Sequence, residues 1–86
     1  MTQEEIQLWN LIETYVNPLG FRMDAIGPHP AGLLVKLTGI ERDVKRSIVV
    51  TPEAFRETIT NQQLSDSIIR NLDGELKATT RSSTTI

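Results

Sequence analysis

With 86 residues, 38% of them apolar and 23% charged, the chain has room for one domain and one modest core. A net charge of −2 and a pI of 5.3 exclude a surface that is basic throughout, as a general nucleic-acid binder would require. The absence of cysteine excludes disulfides, thiolate catalysis and cysteine-held metal, and no apolar run approaches the roughly 20 residues that cross a bilayer.

Thr2-Gln3-Glu4-Glu5 has the Thr-x-x-Glu form of a capping box and predicts a helix from there. At 100° per residue Leu8, Trp9, Leu11, Ile12, Tyr15, Val16 and Leu19 share one arc, while Gln3, Gln7, Asn10, Glu13 and Thr14 lie opposite and Ile6 alone points away from the apolar side. Asn17-Pro18-Leu19-Gly20 ends this helix, because the residue before proline avoids helical geometry and glycine accepts positive φ. The acidic Met1–Glu5 does not read as a secretory signal, so a soluble, cytoplasmic protein is expected.

Three runs then alternate with period two: Phe21, Met23 and Ala25; Leu33, Val35 and Leu37; Ile48 and Val50. Strands are predicted over 21–26, 33–38 and 44–50, the first two joined as a hairpin through the turn-rich 27–32. Thr51-Pro52 fits an N-cap with proline in the first helical turn, and a short helix through Phe55 and Ile59 follows. Thr60-Asn61-Gln62-Gln63 repeats the capping-box form ahead of Leu64, Ile68, Leu72 and Leu76, so a last helix is expected to start there and stop near Asp73-Gly74. Residues 1–77 read as a single α+β domain of order α-β-β-β-α-α, a three-stranded antiparallel sheet with its helices packed on one face; 78–86 read as a flexible polar tail.

No catalytic, cofactor or metal set emerges, and the expectation is not an enzyme. His29, the single histidine, sits between two prolines with no nucleophile or carboxylate at useful spacing, and Glu41 and Asp43 fall in a charged loop around Arg42. What remains is the sheet face turned from the core. Strict alternation assigns it Arg22, Asp24, Ile26, Leu34, Lys36, Thr38, Lys45, Ser47 and Val49, three basic residues among aliphatics.

That mixture predicts a protein-interaction module, an adaptor or inhibitor-like domain, with Arg22, Leu34, Lys36, Lys45 and Val49 as contact residues. The alternative is an accessory nucleic-acid binder using Lys36, Arg42, Lys45 and Arg46 against phosphates. The face carries no aromatic residue for stacking on bases, which favours a protein partner; pairing with a second copy of the chain is a further expectation.

The order helix, three strands, helix is similar in topology to double-stranded RNA-binding domains. Those carry a basic cluster at the start of the closing helix, where this chain has Thr51, Pro52, Glu53 and Ala54, and later Asn61, Gln62 and Gln63. Leu11 to Leu37, with its Pro18-Leu19-Gly20-Phe21 junction, also resembles the amino-terminal half of ribosome-maturation factors, over about a third of the chain. Neither resemblance brings residue roles with it.

Overall fold

The Thr2 capping box forms as the sequence predicts: Thr2 Oγ1 accepts from the Glu5 amide at 3.1 Å and the Glu5 carboxylate accepts from the Thr2 amide at 2.9 Å. It opens helix α1 (Gln3–Val16), which buries Leu8, Ile12 and Val16. The structure, a computed structural model, describes the backbone of residues 1–84 and the side chains of residues 1–77. A single 3₁₀ turn, Asn17–Leu19, follows α1, and Gly20 leaves it at φ +90°, the left-handed geometry that glycine adopts without steric cost. This turn rotates Leu19 out of the apolar arc, so Leu19 is 48% exposed rather than in the core.

Strands β1 (Phe21–His29), β2 (Gly32–Gly39) and β3 (Lys45–Val50) form an antiparallel sheet in the order β1-β2-β3. The first hairpin is tighter than the sequence suggests. His29 pairs with Gly32 across a two-residue turn, Pro30-Ala31, and the strand runs on through Pro28. Proline is tolerated there because β1 is an edge strand and the missing N–H removes no central ladder bond. Gly32 is required by its surroundings: at φ +148°, a Cβ there would lie 2.1 Å from the Val50 carbonyl oxygen.

The register shifts between Met23 and Ala25, a β-bulge with Asp24 as the extra residue. Met23 opposes Leu37 on the core face, but Ala25 opposes Lys36 and Ile26 opposes Val35. The bulge therefore reverses the alternation halfway along β1. Ile26, expected on the outer face, packs against the core, and Ala25 takes its place outside.

Helix α2 (Pro52–Asn61) is capped by Thr51, whose hydroxyl accepts from the Ala54 amide at 3.3 Å. It runs through Thr60, so the second capping-box sequence does not open a helix; Gln62 ends α2 instead, in left-handed geometry at φ 56°. Helix α3 (Asp66–Thr84) begins four residues later than Gln62, capped by Ser65, whose Oγ accepts from the Ile68 amide at 3.2 Å. The Ser65 amide in turn donates to the Oγ1 of Thr58 at 3.0 Å, with both residues buried. A tertiary hydrogen bond thus selects the start of α3. The helix also continues past Gly74, and its backbone is helical through Thr84; the side chains of the expected tail over 78–86 lie outside the described residues.

Every fully or nearly buried sheet side chain, Phe21, Met23, Val35, Leu37, Ile48 and Val50, belongs to one face and meets Leu8, Ile12 and Val16 of α1, Ala54 of α2, and Ile68 and Leu72 of α3. Tyr15 ties α1 to α3, its hydroxyl donating to the Asp73 carboxylate at 2.7 Å. Among the described residues, no helix is long and apolar enough to cross a membrane.

Candidate functional site

The uncovered face of the sheet is built from three cross-strand rows. Arg22, Thr38 and Lys45 form one, Ala25, Lys36 and Ser47 the next, and Gly27, Leu34 and Val49 the third. Rows on one face repeat every second residue, so the first and third stand about 14 Å apart at about 3.4 Å per residue. The face is graded along that length, from basic at the α3 end to apolar near the hairpin.

All five expected contact residues, Arg22, Leu34, Lys36, Lys45 and Val49, lie on this face. Arg22, Lys36, Lys45 and Ser47 are exposed; Leu34, Val49 and Ala25 are half-buried by their cross-strand neighbours. Asp24, displaced by the bulge, is exposed and borders the same shallow depression as Lys36, Lys45 and Ser47, about 480 Å³ in volume. The face itself carries Arg22, Lys36 and Lys45 against Asp24, and Glu75 of α3 borders the same depression.

Of the second residue set, Lys36, Lys45 and Arg46 border the same depression, while Arg42 stands apart. Lys36 and Lys45 point outward, whereas Arg46 opposes the buried Leu37 on the helix side and sends its guanidinium back to the Lys45 carbonyl at 2.9 Å. Arg42 belongs to the β2–β3 loop and borders a different depression with Asp73, Leu76 and Lys77. Acidic side chains stand in both places, Asp24 and Glu75 near Arg46 and Asp73 near Arg42.

His29 lies at the hairpin tip, where its Nδ1 accepts from the Ala31 amide at 3.0 Å; the ring helps to close the turn. Glu41 and Asp43 are both exposed in the loop that the Gly39 amide closes on the Val44 carbonyl at 2.8 Å. Among the described residues, no three His, Asp or Glu side chains gather as a metal site requires.

Sequence reasoning passed over a second surface. Two adjoining depressions, of about 570 and 540 Å³, run along the outer side of α1 and share Leu11, Thr14 and Gln62. Gln3, Ile6, Gln7 and Asn10 continue the first; Tyr15, Pro18, Gln63, Leu64 and Ile69 continue the second. None of these residues is charged, and Ile6 is 44% exposed. The signal was present in composition: of the five residues opposite the apolar arc, Gln3, Gln7, Asn10 and Thr14 are uncharged and Glu13 alone is charged.

Compared with protein-family models, with curated proteins and with solved structures, the chain finds no match.

Proposed function

We propose that this chain is a non-catalytic, cytoplasmic protein-interaction module that holds an acidic segment of another protein against its outer sheet face. The observation that carries this reading is the graded face itself, with Leu34 and Val49 adjacent at one end and Arg22 and Lys45 flanking Thr38 at the other. A helix laid along the strands, with an apolar residue over Leu34 and carboxylates four and eight residues away, places those charges about 6 and 12 Å from its anchor. That spacing follows rows about 7 and 14 Å from the apolar row. The apolar end supplies area removed from water, while the charges set orientation and association rate.

The test is capture of the partner from native lysate, with and without nuclease, on wild-type chain and on Leu34→Asp and Val49→Asp. A protein retained after nuclease, and bound at least tenfold more weakly by either variant, is the expected result; tenfold corresponds to about 1.4 kcal/mol. Both variants should keep the wild-type circular dichroism. Capture that vanishes with nuclease, or that is indifferent to both substitutions, would refute the reading.

A further inference from the structure

An open sheet ends in two rows of backbone groups that no neighbouring strand pairs, and the two edges of this sheet are treated differently. The Gly20 carbonyl accepts from the Ile40 amide at 2.9 Å, so Gly20 faces β2 and the backbone of Phe21 points to the open side of β1. There the Phe21 carbonyl accepts from Asn17 Nδ2, also at 2.9 Å. Farther along, the bulge at Asp24 interrupts the row, and Pro28 has no N–H to offer. The β1 edge is blunted at its start, middle and end.

The β3 edge is not. The Gly39 amide donates to the Val44 carbonyl at 2.8 Å, and the register runs without a shift from Thr38 opposite Lys45 to Leu33 opposite Val50. Alternation of the ladder then turns the N–H and C=O groups of Arg46, Ile48 and Val50 toward β2 and those of Lys45, Ser47 and Val49 outward. The Lys45 carbonyl is taken by the Arg46 guanidinium at 2.9 Å. Among the described residues, nothing takes the outward N–H and C=O groups of Ser47 and Val49, and no proline or bulge interrupts them. Ser47 is exposed, so the row is open to approach.

The fold restricts what can fill this row. Helix α1 lies over β1 and α3 over β3. A second copy paired edge to edge would set its β3 about 4.8 Å from this one, with its own α3 on the same side of the sheet. Packed helices need about 8–10 Å between axes, so two α3 helices do not fit there. A single extended segment brings no helix and meets no such obstacle. Its side chains are specified by their cross-strand neighbours: apolar beside Ile48, Val49 and Val50, and acidic beside Lys45, whose neighbour on β2 is the uncharged Thr38.

We infer that β3 is a docking edge for an extended, apolar segment of a partner protein that ends in an acidic residue and adds antiparallel as a fourth strand. Ser47 and Val49 each exchange a pair of backbone hydrogen bonds with it, and the acidic residue meets Lys45. This edge is distinct from the outer sheet face, and strand addition does not depend on what that face binds.

The probe is the blocked peptide acetyl-Val-Val-Ile-Thr-Thr-Glu-amide, whose second, fourth and sixth residues lie opposite Val49, Ser47 and Lys45. It is titrated into the isotopically labelled full chain up to about 1 mM, the weak end of specific binding. The amides of Ser47 and Val49 should shift and exchange hydrogen at least tenfold more slowly. N-methylation of the second or fourth peptide residue should weaken binding at least tenfold, whereas methylation of the third, whose N–H faces away from β3, should leave it unchanged. Lysine in place of the glutamate should weaken binding several-fold. Unprotected Ser47 and Val49 amides at the highest concentration, equal effects of methylating the third and fourth residues, or equal binding of the lysine peptide would each overturn the inference. All the changes lie in the peptide, so the fold of the chain is the same in every arm.

Discussion

Replacing Thr58 by valine tests the device that joins α2 to α3. Thr58 is fully buried, and its Oγ1 is the acceptor for the Ser65 amide at 3.0 Å; Ser65 itself is 4% exposed and caps α3 through the Ile68 amide. Valine has nearly the same shape, so no cavity opens, but a methyl group then stands where the acceptor was. A buried amide left without a partner costs about 1–3 kcal/mol, partly offset by about 0.8 kcal/mol for the added apolar group. The net loss is about 1–2 kcal/mol, a sizeable share of the roughly 4–13 kcal/mol expected for a domain of this length. It should lower Tm by about 5–15 °C. Thr58→Ser separates the hydrogen bond from the packing: it loses a methyl group and some stability, yet keeps the acceptor. The deciding assay is amide hydrogen exchange at Ser65, which should accelerate in Thr58→Val and stay slow in Thr58→Ser. Wild-type stability and a protected Ser65 amide in Thr58→Val would refute the reasoning.

Three other perturbations have defined outcomes. Gly32→Ala forces a Cβ against the Val50 carbonyl at a φ that alanine rarely adopts, and should cost about 2 kcal/mol or more by chemical denaturation; a neutral result would contradict the hairpin geometry. The β1 bulge reverses two neighbouring sites, so Ile26→Asp should destabilise by about 2 kcal/mol while Ala25→Asp is nearly neutral; strict alternation demands the opposite ranking. Tyr15 is held above the ordinary tyrosine pKa by its hydrogen bond to Asp73, then by burial and by the Asp73 charge. The stabilisation from a raised pKa is complete below the unfolded value near 10 and is lost as pH rises through the folded one, so Tyr15→Phe should flatten the alkaline loss of stability. An unchanged alkaline profile in that variant would count against the Tyr15–Asp73 bond.

The parts legible in the sequence are those governed by local chemistry. Thr2 and Glu5 cap each other within one turn, and Leu33–Leu37 and Ile48–Val50 alternate without interruption, so element order, sheet and core face follow directly. The β1 bulge left no such trace: Asp24 has no composition that distinguishes an extra residue from a paired one, and one insertion moved Ile26 from the outer face to the core. The choice between Thr60 and Ser65 as the α3 cap was likewise invisible locally, because both are good cap residues and the decision comes from Thr58, seven residues before Ser65. Gly74 signals a helix end by composition, yet α3 continues through it. Of the candidate site, Arg22, Leu34, Lys36, Lys45 and Val49 share a face because β2 and β3 are regular and Arg22 precedes the bulge. The α1 surface was overlooked because polar residues opposite an apolar arc satisfy the pattern of an ordinary solvated helix, and the pattern does not distinguish amides from charges.

The most direct test of the central claim is an amide shift map of the isotopically labelled chain on adding the captured partner. Binding by the outer sheet face predicts the largest changes at Arg22, Leu34, Lys36, Lys45 and Val49, with α1 amides from Gln3 to Thr14 little affected. Changes concentrated on α1, or at Arg42 and the β2–β3 loop while Leu34 and Val49 stay silent, would contradict it.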